Sequence, residues 1–589
     1  MNPLLTLLRK YGANSLVVCL TLALSLFVMS LYVEGPLNGN FDHHVMTAKR
    51  FGQPAELREH GLTSLYRTKE DKGWDGQFYY FMANDILATK DSAQHMDSDA
   101  YRYQRIGLPL VAKALSLVLL QDWVSPALYY ASSLLLVLMA TLYGAAFLQR
   151  RGVAPFYILF WSLAAGTQLT MMNGLPDAAA DAMLIIALTA LLDHKLIRYA
   201  LAMTLAVLTR EAYMLLPFFI AVASVLYPLR DPLQRRLEQL ITQLRTPGVL
   251  VHLIPLLAFG LWQGWVRLRF SGTPVEQAQG ILGLPLVSLW QHLIAGLAGH
   301  YPGLAAGDDS YFAAINLLFF LGLLLLSLLI LIRLLRSGWQ SKASPLVMGI
   351  GAGFFALSLL YLHFGVTVIW HFSGFMKAAA ILGFVLPLCY ALQGKKFPAL
   401  MILFLCIMTL YFGFRLWDFR LRWSAVLPLD DVRCEAMAFP KDPANCLSKF
   451  VWRGNQLALQ LGHVSGTAVE VNADIDPAGL ISFGPYIAAP KGAYRATLDY
   501  TATSPADGSA PGSWDVFSNH LKNGPAVLQT GVLAAGQTRA TIDFVLEDDV
   551  PDLEVRSFTA GHSHIRIKSL SIEQLATGAV NSASVKDRP

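Results

Sequence analysis

Asp75 stands near the start of "GWDGQFYYFMANDILA" (Gly73–Ala88), an acidic residue at the head of an aromatic-rich stretch. A carboxylate there can cap a helix or accept a proton. As an N-cap it would open a helix over 76–88 in which Phe78, Phe81 and Met82 share one face. Such a helix is too short to span a bilayer, and its aromatics suit the lipid–water interface. The partial positive charge at its N-terminus favours an ionised Asp75. Farther on, "DAYRYQRIGLPL" (Asp99–Leu110) carries Arg102 and Arg105, three apart and on one face if helical. Guanidinium groups suit bidentate phosphate contact. With Tyr101 and Tyr103 beside them, they equally suit interfacial anchoring.

More charges lie in or beside apolar runs. Asp177 and Asp181 are i, i+4 in "NGLPDAAAD", Arg210 and Glu211 break two runs at "LTREAY", and Lys377 follows "IWHFSGFM". A charge left at mid-bilayer costs about 2.5–3.5 kcal/mol on insertion scales, so these residues must face protein, a wet cavity or the interface. One reading lines a cavity with them, Arg210 and Lys377 toward phosphate, Asp177 and Glu211 orienting groups or holding a metal. The other is an ion-pair cluster that holds helices together, with Lys377 snorkelling to the interface. His43, His44 and His371 invite a metal, but their spacing matches no ligand signature, so the metal stays unknown. Asp308 and Asp309 read as the cap of the helix that follows them.

The elements that must position these groups are mostly apolar. Of 589 residues 54% are hydrophobic and 14% charged, with long stretches nearly free of charge, which excludes an ordinary soluble enzyme. The small positive balance needs no nucleic-acid partner, because Lys and Arg cluster between apolar runs as the positive-inside rule expects. Run length and flanking charge predict a polytopic α-helical membrane protein of about eleven spans. They are 14–33, 123–148, 153–172, 180–194, 197–209, 212–228, 248–268, 310–334, 345–366, 374–392 and 397–418. The first is longer than a signal h-region and lacks a clear cleavage site, so it reads as an anchor with Arg9 and Lys10 at a cytoplasmic start. The stretch 107–120 is too short to span and reads as interfacial or re-entrant. Two crossings over 197–228, rather than one, keep the basic loops on the cytoplasmic side. The loops 34–106 and 269–309 and everything after about 420 are then external. "GILGLPLVSLWQHLIAGL" in the second loop reads as a surface helix.

Beyond about 424 the pattern changes to short alternating strands: "TAVEVNA", "LISFGPYI", "GAYRATLDYTA", "SWDVFSN", "RATIDFVL", "DLEVRSFTA" and "HIRIKSLSIEQL". Gly, Pro, Asn and Asp at the breaks point to an antiparallel β-sandwich. The expected domains are a membrane domain over 1–424, an external sandwich over 425–576 and a disordered tail over 577–589. Cys434 and Cys446 lie in the external part and are candidates for a disulfide, the alternative being two unpaired thiols. Tyr486, Tyr494 and Trp514 could stack on sugars or fill the sandwich core.

"WDGQFYY", then "AYRYQRIGLPL", resembles bacterial membrane proteins of cell-surface glycopolymer formation, within the GT-C glycosyltransferase superfamily. "GLPDAAAD" and "AVLTREAYMLLP" are similar to the same group. The resemblance covers about residues 1–230 by motif and reaches roughly 420 by topology. It implies a GT-C-like enzyme of the bacterial inner membrane, its N-terminus cytoplasmic and its C-terminal domain periplasmic. The enzyme would use a polyprenyl-phosphate-linked sugar donor and a glycan, lipid or protein acceptor at the outer face. Superfamily members place a catalytic carboxylate in the first external loop, here Asp75, with Asp42 of "NFDHH" the rival. The chain lacks the paired acidic dipeptide of many relatives, which leaves the base, and any need for Mg or Mn, open. Arg102, Arg105, Arg210 and Lys377 would meet the donor phosphate, and Tyr79, Gln104, Asp177 and Glu211 would orient groups in the cavity. The sandwich is similar to jelly-roll modules of the carbohydrate-binding kind.

The chemistry agrees with that expectation. A sugar on a phosphate has a good leaving group, so one carboxylate acting as base toward the acceptor suffices, with cations stabilising the departing phosphate. A glycosidase needs two carboxylates flanking the bond. The competing classes are a transporter or flippase for lipid-linked glycans, whose halves would repeat, and an assembly protein. No second copy of the first-loop motifs is present.

Overall fold

A computed structural model describes residues 3–37, 41–45, 47, 51–60, 74–226, 247–270, 274, 280–301, 308–340, 344–369, 371–421, 429–432, 448–465, 467–473, 476–484, 487–503, 508–518 and 527–575. The chain divides into two compact units, Met1–Tyr32 with Asp75–Arg420, and Val33–Trp74 with Leu421–Pro589. This grouping differs from a membrane domain over 1–424, because most of the first loop belongs with the C-terminal part.

The helices begin with α1 (Pro3–Glu34), α2 (Ala55–Glu59), α3 (Gly76–Asn84), α4 (Asp99–Tyr103), α5 (Gly107–Val118) and α6 (Pro126–Arg150). There follow α7 (Leu159–Ser162), α8 (Ala165–Met172), α9 (Asp177–Leu192), α10 (Leu196–Thr209), α11 (Leu215–Leu226) and α12 (Pro247–Arg269). The last are α13 (Val287–Leu297), α14 (Asp308–Gln340), α15 (Pro345–Tyr361), α16 (Val366–Ile369), α17 (Phe372–Ala379), α18 (Leu382–Gln393) and α19 (Ala399–Leu416). All but α2 and the last two residues of α1 lie in the first unit.

Six helical stretches among the described residues are long and apolar enough to cross a membrane: Gly12–Glu34, Pro126–Arg150, Gly248–Arg269, Ser310–Gln340, Phe372–Gln393 and Ala399–Leu416. The count of eleven is therefore not matched. The 153–172 run is interrupted: a 3-10 turn at Pro155–Ile158 and the one-turn α7 precede α8. Side chains satisfy backbone groups at that break, Thr167 Oγ1 donating to Trp161 O at 2.7 Å and Gln168 Nε2 to Ser162 O at 2.7 Å. A broken helix is tolerated at membrane depth under that condition. Helix α5 has twelve residues, in keeping with a segment too short to span. Helix α9 is buried from Ala178 through Leu192, with no polar face, and α6 and α10 pack along it.

In the second unit, a 3-10 turn at Phe41–Val45 holds Asp42, exposed, and His44, buried with the Phe41 ring 5.0 Å away. Farther along, two antiparallel sheets share one core. The first orders β1 (Leu429–Val432), β2 (Ser448–Arg453), β13 (Ile565–Gln574), β5 (Ala468–Val471) and β4 (His463–Ser465), with β8 (Gly492–Ala502) pairing β13 and β11 (Arg539–Leu546) pairing β8. The second orders β10 (Val527–Leu533), β9 (Gly512–Phe517), β12 (Val550–Thr559), β6 (Gly479–Phe483) and β3 (Ala458–Leu459), with β7 (Ile487–Ala489) also on β12. Val469, Leu498, Phe544 and Ile567 of the first sheet and Ile481, Trp514 and Val555 of the second belong to one buried cluster. That is a β-sandwich. Strands β8 and β11 have the bounds of "GAYRATLDYTA" and "RATIDFVL". Strand β10, "VLQTGVL", escaped notice because a Gly and adjacent polar residues blur its alternation. Tyr494 and Trp514 are core side chains at 2% and 1% exposure, so neither offers a ring to a sugar. Tyr486, Cys434, Cys446 and the tail 577–589 lie outside the described residues.

Candidate functional site

Glycine brings the opening motif into place. A Cβ at Gly76 would sit 1.7 Å from Asn173 O, so the start of α3 lies directly on the backbone between α8 and α9. Gly107 plays the same part for α5, where a Cβ would lie 2.0 Å from Thr209 Oγ1 at the end of α10. These two contacts carry Asp75, Arg102 and Arg105 to Asp177 and to the break at Arg210.

Helix α3 differs from the expected interfacial cap. Asp75 has helical backbone angles (φ −52°, ψ −24°) and makes no side-chain cap hydrogen bond. All nine residues of α3 are buried, so Phe78, Phe81 and Met82 face protein, not an interface. Arg102 lies over the Phe78 ring at 4.7 Å, and Tyr80 meets Tyr129 edge-on. The helix stops at Asn84, not Ala88, because the Asp85 carboxylate accepts from Thr89 N (2.8 Å) and Lys90 N (3.1 Å). Local bonds of that kind compete with helix.

A cavity of about 450 Å³ is lined by Asp75, Tyr79, Tyr101, Arg102 and Arg105, by Asp177, by Arg210 and Glu211, and by Lys377. Tyr361, Phe364, Ile281 and Leu282 add an apolar wall. Arg102 is clamped by Asp97, its Nε donating to Oδ1 at 2.9 Å and Nη2 to Oδ2 at 2.7 Å. The same Nη2 also donates to Asp75 Oδ1 at 3.0 Å. Arg105 forms a fork with Glu211, Nε to Oε2 at 2.8 Å and Nη2 to Oε1 at 2.6 Å, while Nη1 reaches Tyr79 OH at 3.4 Å. Arg102 is buried, whereas the Asp75 side chain is 52% exposed. Among the described residues Asp75 Oδ2 has no hydrogen-bond partner and Lys377 has no ion-pair partner.

Burial pushes the Asp75 carboxyl up. The charges of Arg102, Lys377 and Arg105 and the hydrogen bond from Arg102 outweigh it and hold the group below the usual carboxylate value. It is therefore ionised throughout the neutral range.

Arg210 donates from Nη1 to Ala378 O (3.1 Å) and Tyr213 OH (3.2 Å) and lies 3.7 Å from Asp181. Asp181 is fully buried and accepts from Trp161 Nε1 (3.1 Å) and from the Tyr213 hydroxyl. Asp181 belongs to an internal cluster, while Asp177, Arg210 and Glu211 line the cavity. The chain is extended at Arg210 (φ −148°, ψ 108°), at the expected break between α10 and α11.

Gln104 is buried but does not line the cavity. Asp42 lies in the second unit. His371 caps α17, its Nδ1 accepting from Ser373 N at 3.2 Å. Among the described residues no group of three or more His, Cys, Asp or Glu could hold a metal ion, so they form no protein cage for Mg or Mn. Helix α14 begins at Asp308, and α13 forms the surface helix of the 269–309 loop. The sequence reading missed Asp97, which clamps Arg102 and sits five residues before it. It also missed Tyr213 and Tyr361, which carried no local signal.

No protein-family model matches the chain, and no curated protein matches it. Among solved structures it is similar to the cryo-EM structure of arabinosyltransferase EmbB from Mycobacterium smegmatis, at a TM-score of 0.27 and 11% identity. The likeness covers 98% of this chain and 66% of that one. The chain thus spans just under two thirds of that protein's length. A superposition this loose assigns neither activity nor ligand. What stands is a multi-pass helical unit with a charged cavity and a unit built on an antiparallel β-sandwich.

Proposed function

We propose that the protein is a GT-C-like membrane glycosyltransferase. It moves a sugar from a polyprenyl-phosphate-linked donor to a cell-surface glycan, lipid or protein acceptor at the external face, with inversion. The observation that carries this reading is the half-exposed Asp75 in a cavity that also holds Arg102, Arg105, Arg210 and Lys377. Asp75 Oδ2 takes the proton of the acceptor hydroxyl as that oxygen bonds the anomeric carbon. The bond from that carbon to the phosphate oxygen breaks, and the electron pair leaves with polyprenyl phosphate. Lys377 and the arginines stabilise the charge that develops on it. Lys377 suits first contact, because among the described residues it holds no carboxylate that the phosphate would have to displace. Glu211 is engaged by Arg105 and orients it, and Asp177 faces the same space. A divalent metal brought by the donor would be held by Asp177 and Glu211 and would supply positive charge to offset that of the phosphate.

The test is sugar transfer and polyprenyl phosphate release by the purified full chain and its Asp75→Asn and Asp42→Asn variants, each shown to insert and fold. Asp75→Asn should lower turnover by about 10²–10⁴, and Asp42→Asn should not. Full activity in Asp75→Asn removes the base assignment. Absence of phosphate release from the wild-type chain with every donor favours a transporter or assembly role.

A further inference from the structure

The first unit has a second concavity, at the other end of α9. A groove of about 830 Å³ runs between α6 and α10, with Leu136 and Met139 on one side, Leu201 and Leu205 on the other and Ile186 of α9 in its floor. Its lining ends at the α9–α10 turn, at His194, Lys195 and Arg198. Asp177 at the start of α9 lines the charged cavity, and the sixteen residues of α9 run from it to the basic end of the groove. At about 1.5 Å per residue that is about 24 Å, close to the roughly 30 Å hydrocarbon thickness of a bilayer. A separation of that size fits a basic end at the membrane surface opposite the cavity.

Exposed leucines on a membrane helix need no special occupant. This place differs in two respects. It is concave, with a buried helix for a floor, and its polar end has unbalanced positive charge. The acid of that turn, Asp193, is taken by Arg150 at 2.5 Å. Lys195 and Arg198 are exposed, and neither has an ion-pair partner among the described residues. The Arg198 guanidinium lies over the Tyr143 ring at 5.0 Å, which holds it beside the groove. Basic residues at a membrane surface attract anionic lipid by about 1 kcal/mol each, and basic pockets between membrane helices bind lipid head groups.

We propose that this groove binds an anionic phospholipid of the leaflet opposite the cavity, its acyl chain along Leu136, Met139 and Leu201 and its phosphate between Lys195 and Arg198. Charge complementarity selects this occupant: a zwitterionic lipid gains only the apolar contacts, and a helix from a second copy leaves the cations unanswered. On the orientation expected from the basic loops, the leaflet is the cytoplasmic one.

The experiment is native mass spectrometry of the full chain, titrated with phosphatidylglycerol or phosphatidylcholine and then transferred to nanodiscs for photo-crosslinking at Ile197. The wild-type chain should retain phosphatidylglycerol in preference. Lys195→Gln with Arg198→Gln should weaken that binding about thirtyfold and leave phosphatidylcholine unchanged. Ala202→Trp, which fills the groove without touching a charge, should weaken both lipids. Melting curves establish that each variant is folded before it is scored. Equal retention of the two lipids by the wild-type chain overturns the proposal. So does an unchanged double variant, displacement by inorganic phosphate alone, or a crosslink to protein in place of lipid.

Discussion

Arg102 Nη2 lies 3.0 Å from Asp75 Oδ1, and Asp97 holds the same guanidinium along its Nε–Nη2 edge. The pair is asymmetric: the cation is buried and the carboxylate half-exposed. Asp75 is thus oriented through one oxygen, while the other has no hydrogen-bond partner among the described residues. Because the cations lower its pKa, the basic form persists down to acid pH. The acid limb of kcat/KM should fall below the ordinary carboxylate value of about 4. A depressed carboxylate contributes stability above its unfolded pKa and loses it as pH falls through its folded one, so the Asp75–Arg102 pair should hold throughout neutral pH. Asp97→Asn weakens the clamp on Arg102. It should lower activity less than Asp75→Asn and raise KM more than it lowers kcat, measured by steady-state transfer kinetics.

Gly76→Ala tests the close approach that brings Asp75 into place. A methyl group 1.7 Å from Asn173 O cannot be accommodated without moving α3. Overpacking of this kind costs about 1–3 kcal/mol. Thermal melts should show destabilisation, and activity should fall even at temperatures where the variant is folded.

The Arg105–Glu211 fork joins segments 106 residues apart in the chain. Both side chains are largely but not wholly buried, 20% and 33% exposed. Removing either leaves the other charge poorly solvated. Arg105→Ala and Glu211→Ala should each destabilise, and a double-mutant cycle should return a coupling of about 0.5–3 kcal/mol. Arg105→Lys should recover part of the stability but not the two-pronged geometry.

Trp514 is a core residue of the sandwich. Trp514→Ala should cost about 3–5 kcal/mol, read as a lower denaturation midpoint for the sandwich in the full chain. A variant with unchanged stability and weakened binding of soluble glycans would return the ring to a surface role.

Local pattern carried much of this protein. Apolar run length located long apolar helices but not the number that span, six stretches qualifying among the described residues; alternation located seven stretches of the sandwich, and "LTREAY" marked the break between α10 and α11. The same rules failed where tertiary contacts override local ones. Helix α3 looked amphipathic from spacing alone, yet every face is packed. The 153–172 run looked continuous, yet side chains from Thr167 and Gln168 answer backbone groups at its interruption.

The sequence by itself determined that Asp, Glu, Arg and Lys side chains sit beside apolar helices, because composition, periodicity and the cost of burying charge are local properties. It also made Asp75, Arg102, Arg105, Arg210, Glu211 and Lys377 worth naming. Only the tertiary structure decided how they divide. Arg102 goes to Asp97 and Asp75, Arg105 to Glu211, and Arg210 to Ala378 O and Tyr213, while Lys377 keeps no ion-pair partner among the described residues. Three of those contacts span 27, 106 and 168 residues of chain. Pairing over such separations depends on how helices cross and on which glycines let them approach, and no spacing within a single segment encodes that.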